Sequence, residues 1–206
     1  MKKINKLSDL FAQKNTLYVI IFFIIFFILL TYLISGYTSK RYYTLYPTIY
    51  LYPNNIKEIE IVRKYNNERL KNNTINDFVK LTDKSVSYAF IQEFSDLPLK
   101  LDELDSISYN INYIIIFFKN LFNRARPSQI DKSLNSFESK TASTPSFPSG
   151  HSAQAQYIAK KLSEKYPEKK EKFYNLAEKC GMARIYGGLH YPSDHEFAKK
   201  IVKFIP

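Results

Sequence analysis

The chain has 206 residues, 45% hydrophobic and 24% charged, with a formal net charge of +11. That length and balance suit one folded domain with an appendage and exclude a disordered chain. The single cysteine, Cys180, rules out an intrachain disulfide and a cysteine-based zinc site. The basic excess points to anionic partners. The lysines are scattered, however, and there is no zinc finger, basic zipper or RNA-binding aromatic motif, so nucleic acid is not an expected partner.

Residues 1–16 form a basic tail. Leu17 to Ser35 contain no charged residue over 19 positions, long enough for a helix to span a bilayer. The apolar core is too long for a signal peptide, and apolar side chains point in every direction around the helix. The expectation is a retained single-pass anchor, with the N-terminus cytoplasmic and the remaining chain on the opposite side. Residues 36–55 are Tyr-rich with Pro47 and Pro53 and read as a juxtamembrane linker.

Residues 56–206 read as a helical domain. Ile56 to Asn73 is charged and helical, with a short β piece possible at Ile59 to Val62. Phe78, Leu81, Ser85 and Tyr88 space like one helix face. Pro98 breaks the chain before "ISYNINYIIIFFKNLFNRARP", read as a buried core helix that Pro127 ends. Asp131 to Pro148 is a long Ser-, Thr- and Pro-rich loop, placed as a lid. A helix follows Gly150, with Ala155, Ile158 and Leu162 inward, and stops near Pro167. The next starts near Glu168, buries Cys180, and runs out at Gly187-Gly188. "SDHE", Ser193 to Glu196, reads as a capping box for the last helix.

Three blocks carry chemistry. Lys119 and Arg126 are seven residues apart, which returns a helical side chain to nearly the same face; Arg124 lies off it. Ser149 and Gly150 open a helix whose free N–H groups and dipole suit an anion, with His151 beside them. The bland alternative is a serine cap with an exposed histidine. Arg184 lies one turn after Cys180 on the inward face and needs an anionic partner. His190 precedes Asp194 by four residues, and a carboxylate on one imidazole nitrogen leaves the other free as nucleophile or base. His195 reads as a surface residue. Three cations, a helix N-terminus, two histidines and one carboxylate suit metal-free phosphoryl transfer.

These blocks, Lys119…Arg126-Pro127, Pro148-Ser149-Gly150-His151 and Arg184…His190…Asp194, resemble the phosphatidic acid phosphatase type 2 / vanadium-dependent haloperoxidase superfamily. That family carries K-x6-R-P, P-S-G-H and S-R-x5-H-x3-D in the same order. The resemblance covers about Tyr109 to Phe204 and departs at Ala183, where the family has serine. It implies an all-α bundle of the acid phosphatase type and phosphate monoester hydrolysis. In this reading His190 is the nucleophile, oriented by Asp194, and His151 is the general acid and base. Lys119, Arg126 and Arg184, with the Ser149 and Gly150 amides, hold the phosphoryl group. No cofactor is expected, and vanadate should inhibit as a phosphate mimic. The substrate would be a phosphorylated small molecule or lipid. Vanadate-dependent halogenation and a weakly active anion-binding module on a membrane are the alternatives.

Overall fold

The computed structural model describes residues 16–27 and 54–206. The chain divides into two compact units, Met1–Gly36 and Tyr37–Pro206. In the first, residues 16–27 are helical and exposed. The remainder of the expected anchor and the linker lie outside the described residues. Among the described residues, no helix is long and apolar enough to cross a membrane.

The second unit is all-helical over its described residues. Its helices are α1 (Asn55–Lys71), α2 (Asn73–Lys84), α3 (Val86–Glu93), α4 (Leu101–Asn110), α5 (Asn112–Phe122), α6 (Pro127–Ile130), α7 (Gly150–Lys165), α8 (Lys170–Tyr186) and α9 (Pro192–Phe204). Short 3-10 turns occupy Lys140–Ser143 and Pro167–Lys169. The helix-compatible charge spacing of α1 prevails over the β-branched run, and Ile59 and Val62 face inward from a helix rather than a strand. The stripe expected from Phe78 to Tyr88 is broken at Ser85, whose extended backbone and hydroxyl cap α3 by accepting from Ser87 N.

Helices α7 and α8 pack along each other at the centre. On one side, Phe90, Phe94 and Leu104 from α3, its exit and α4 close over Ile158, Phe173, Leu176 and Cys180. On another, Ile111 and Ile115 meet Ala153 of α7 and Ala198, Ile201 and Val202 of α9. Helix α1 lies over the C-terminal end of α8, where Ile59 and Val62 pack on Ile185 and Tyr191. Asn66 Nδ2 and Arg69 Nε donate to the Tyr186 carbonyl, and both side chains also reach the Asn135 carbonyl. These contacts satisfy a helix-end acceptor and hold the turn that carries His190. Gly188 makes that turn at φ +68°, and a Cβ there would lie 2.9 Å from Ser136 Oγ and 3.0 Å from Asn66 Nδ2.

The segment read as a buried core helix is two helices, α4 and α5, buried on one side only. Ile111, Ile115 and Lys119 face inward, while Tyr109, Tyr113, Ile116 and Phe117 are exposed. No charged residue occurs from Ser106 through Phe118, so this outer stripe is wholly uncharged. His195 is also inside: only 1% exposed, with its ring against Gly181, where a Cβ would sit 2.1 Å from the imidazole. The missing side chain in α8 makes the slot that admits this histidine.

Candidate active site

The three blocks converge on one cavity of about 290 Å³, lined by Lys119, Arg126, Gly150, His151 and His190 together with Thr144. Lys119 and Arg126 do not share a helix face. Helix α5 ends at Phe122, and Asn123 caps it in left-handed geometry at φ 41°, a conformation asparagine tolerates better than most residues. The chain then turns, and Arg126 stands at the entrance to α6.

Both cations are bound by the loop 131–148. Lys119 Nζ donates to the Pro145 carbonyl, and Arg126 Nε to the Thr144 carbonyl at 2.9 Å. Arg126 Nη1 reaches the Leu189 carbonyl at 2.8 Å. Residues 145–149 are buried, so the stretch expected to form a lid is, at this end, part of the wall. Beyond it, Phe137 N donates to the Gly187 carbonyl.

Arg184 is 1% exposed. Its Nη2 donates to Asp83 Oδ1 at 2.8 Å, while Nε and Nη1 are buried with no hydrogen-bond partner among the described residues. Buried guanidinium donors are rarely left idle. Burial and the neighbouring Arg184 lower Arg126 to about 10. Burial, with Arg126 and Arg184 as neighbours, pushes Lys119 well below the usual lysine range. Three buried cations so close are held against their mutual repulsion, which an arriving anion would relieve.

His190 is 2% exposed, and its tautomer follows from its partners. Nδ1 lies 3.1 Å from Asp194 Oδ2, and Nε2 lies 3.1 Å from Arg126 Nη1. Arginine cannot accept and an ionised carboxylate cannot donate, so Nδ1 carries the proton and Nε2 keeps the lone pair. Burial and the Arg126 charge lower the His190 pKa well below the usual value, leaving the ring neutral. Burial alone would raise Asp194, but Arg124 and the bonds from His190 and Ser146 hold it far down, so it stays ionised. Ser146 Oγ donates to the same Oδ2 at 2.5 Å, and Tyr191 N at 3.0 Å.

That last contact relocates the helix start. Tyr191 is the N-cap of α9, Pro192 occupies the first turn and Asp194 the third position. Ser193 does not cap, because its N–H and hydroxyl both go to Glu58. The capping carboxylate and the histidine-orienting carboxylate are therefore the same group.

At the start of α7, Ser149 Oγ accepts from Ser152 N. The Ser149 N–H donates to the Asp194 carbonyl at 3.1 Å. This amide, expected to face the phosphoryl group, is instead used to join α7 to α9. The first-turn amides of Gly150 and His151, which have no intrahelical acceptor, are the ones beside the cavity. A Cβ on Gly150 would touch only Ile115 Cγ2 at 3.8 Å, so protein packing does not demand glycine there. Burial and the Arg184 charge lower His151 well below the usual histidine value. Ala183 lines a separate, largely apolar cavity of about 520 Å³ with Leu176, Met182 and Tyr186.

Sequence reasoning did not single out Glu58, Asp83 or Arg124. Arg124 is fully buried and binds both Asp194 and Glu58. Among the described residues, Glu178, His195 and Glu196 form one group of potential metal ligands. Lys199 already binds both carboxylates, at 3.0 and 2.9 Å.

Residues 107–198 match the family model described as PAP2 superfamily. No curated protein matches the chain.

Proposed function

We propose that this protein hydrolyses phosphate monoesters through a phosphohistidine intermediate, because residues 107–198 match the PAP2 superfamily, whose members are generally phosphatases. The observation that carries the reading is the forced tautomer of His190, a buried neutral imidazole with its lone pair on the nitrogen facing Arg126.

In the first step His190 Nε2 forms a bond to phosphorus as the phosphorus–oxygen bond to the leaving group breaks. Positive charge grows on the imidazole, and the ionised Asp194 stabilises it through Nδ1–H. Lys119, Arg126 and Arg184, with the Gly150 and His151 amides, meet the charge on the phosphoryl oxygens. His151 is neutral in the free protein, so its proton arrives with the substrate, whose negative charge favours the imidazolium. His151 gives that proton to the leaving oxygen. It then takes one from water as the water oxygen bonds to phosphorus and the N–P bond breaks.

The uncharged outer stripe Tyr109, Tyr113, Ile116 and Phe117 adjoins the cavity, which Ile116 also lines. This supports lipid phosphates as the substrate class, delivered at a membrane by the anchor Leu17 to Ser35. Vanadate would occupy the phosphoryl position as an inhibitor.

A screen of lipid phosphates, nucleotides and sugar phosphates against the wild-type protein and His190→Ala tests the reading. Turnover by the wild-type protein alone, with label from a 32P substrate trapped on histidine, is the expected result. Label trapped on the His190→Ala protein would overturn the assignment of the nucleophile.

A further inference from the structure

Behind the nucleophile runs a buried chain of ions. The Arg124 side chain has no solvent exposure, and its guanidinium lies 3.9 Å from the centre of the Tyr191 ring. Its Nη1 donates to Asp194 Oδ1 and to Ser193 Oγ, each at 2.6 Å. Its Nη2 donates to Glu58 Oε2 at 2.7 Å, and Nε to Asn55 Oδ1 at 2.9 Å. Glu58 Oε1 accepts from Ser193 N at 2.9 Å. Glu58 and Asn55 belong to α1, outside the segment that matches the family.

The two oxygens of Asp194 thus have different tasks. Oδ2 serves His190, and Oδ1 is gripped by Arg124, which stops the carboxylate from rotating. A lone arginine in that place would also draw charge away from Asp194 and weaken its support for the imidazolium. Glu58 offsets this by giving Arg124 a second carboxylate, so the three ions together remain anionic behind His190.

We propose that Glu58 and Arg124 are positioning residues for the nucleophile: Arg124 fixes the Asp194 carboxylate, and Glu58 maintains the negative charge that backs His190. The assignment rests on the phosphohistidine reading above. The other charged or titratable groups facing His190 are Lys119, Arg126 and His151, with Arg184 acting on His151 and Arg126 beside it, and all remain in the variants that follow.

The test uses the full chain carrying Arg124→Lys, Glu58→Gln or both, assayed on a monoester that the wild-type protein turns over. Arg124→Lys should lower kcat by about 100-fold and Glu58→Gln by about 10-fold, by analogy with the range seen when groups that orient a metal-binding histidine are lost. KM should stay within about 2-fold in both, because neither residue touches substrate. Removing the Glu58 charge disfavours protonated His190, so the acid limb of kcat/KM should move to lower pH. The double variant should be no worse than Arg124→Lys alone, since the two act through one chain.

Nitrogen-15 imidazole spectra give a readout independent of turnover, and the chain has only three histidines to assign. His190 should show the Nδ1–H tautomer in the wild-type protein, a mixture in Arg124→Lys, and a lowered pKa in Glu58→Gln. If the wild-type protein shows no histidine-dependent turnover, the phosphatase reading fails while these spectra still decide the positioning claim. Folded variants with an unchanged His190 tautomer and pKa would overturn it. So would losses confined to KM, or losses that multiply independently in the double variant. If Arg124→Lys does not fold, Glu58→Gln alone decides, through its kcat and the acid limb.

Discussion

Asp83 Oδ1 lies 2.8 Å from Arg184 Nη2, although the two residues are 101 positions apart. The same oxygen accepts from Ser139 Oγ at 2.5 Å. One carboxylate of α2 therefore holds a cation of the site and the 3-10 turn of the covering loop. Substituting Asp83→Asn leaves a buried guanidinium without its counter-charge, which should cost about 3 kcal/mol of stability. A bound anion should supply that missing charge. Phosphate or vanadate should then raise the melting temperature of the Asp83→Asn protein more than that of the wild-type protein. Equal shifts, measured by thermal unfolding with and without ligand, would sink this account.

Gly150 offers the opposite combination. Alanine fits its surroundings, since the added Cβ meets only Ile115 at 3.8 Å, and it suits a helix better than glycine. Gly150→Ala should leave stability unchanged or raise it by about 0.5 kcal/mol. Its methyl group would occupy space beside the amides proposed to receive the phosphoryl group, so KM should rise and vanadate inhibition weaken. Loss of folding instead of affinity, seen in urea unfolding beside steady-state kinetics, would contradict this.

Glu178 ties the buried His195 to α8, accepting from Nε2 at 3.0 Å and from Lys199 Nζ at 3.0 Å. The His195 hydrogen bond, aided by Lys199, lowers its carboxyl to about 2. A depressed carboxyl contributes its stability above the unfolded value of about 4.3 and loses it as pH falls through the folded value. Glu178→Gln should therefore cost about 1 kcal/mol at pH 7, a figure kept small because the side chain is 42% exposed and screened. The gap from the wild-type protein should close between about pH 4.3 and about pH 2. A gap that is constant across that window, in urea midpoints, would show that the pairing contributes nothing.

The helical class, and the gathering of Lys119, Arg126, Gly150, His151 and His190 around one cavity, were legible because their cues are local. Spacings, glycine and proline punctuation and a histidine–carboxylate pair four residues apart all lie within short segments. Local cues also misled. The seven-residue spacing of Lys119 and Arg126 suggested one helix face, whereas a left-handed Asn123 turns the chain between them. A serine before Asp194 looked like the cap, but Pro192 moves the helix start forward and Asp194 takes that task. His195 looked exposed because the slot that buries it is made by a glycine on another helix. Glu58, Asp83 and Arg124 were not legible, since their meaning lies in partners 66 to 101 residues away.

The carbonyls of Thr144 and Pro145, which receive Arg126 and Lys119, bear on how a reaction here would end. A phosphate ion leaving three buried cations behind would face a steep electrostatic climb if nothing replaced it. Main-chain oxygens within reach offer two of those cations, Lys119 and Arg126, a neutral resting place, and Asp83 already holds Arg184, so departure would become an exchange of acceptors. The wall that shapes the cavity would thus also serve turnover, by keeping the product from becoming a permanent tenant.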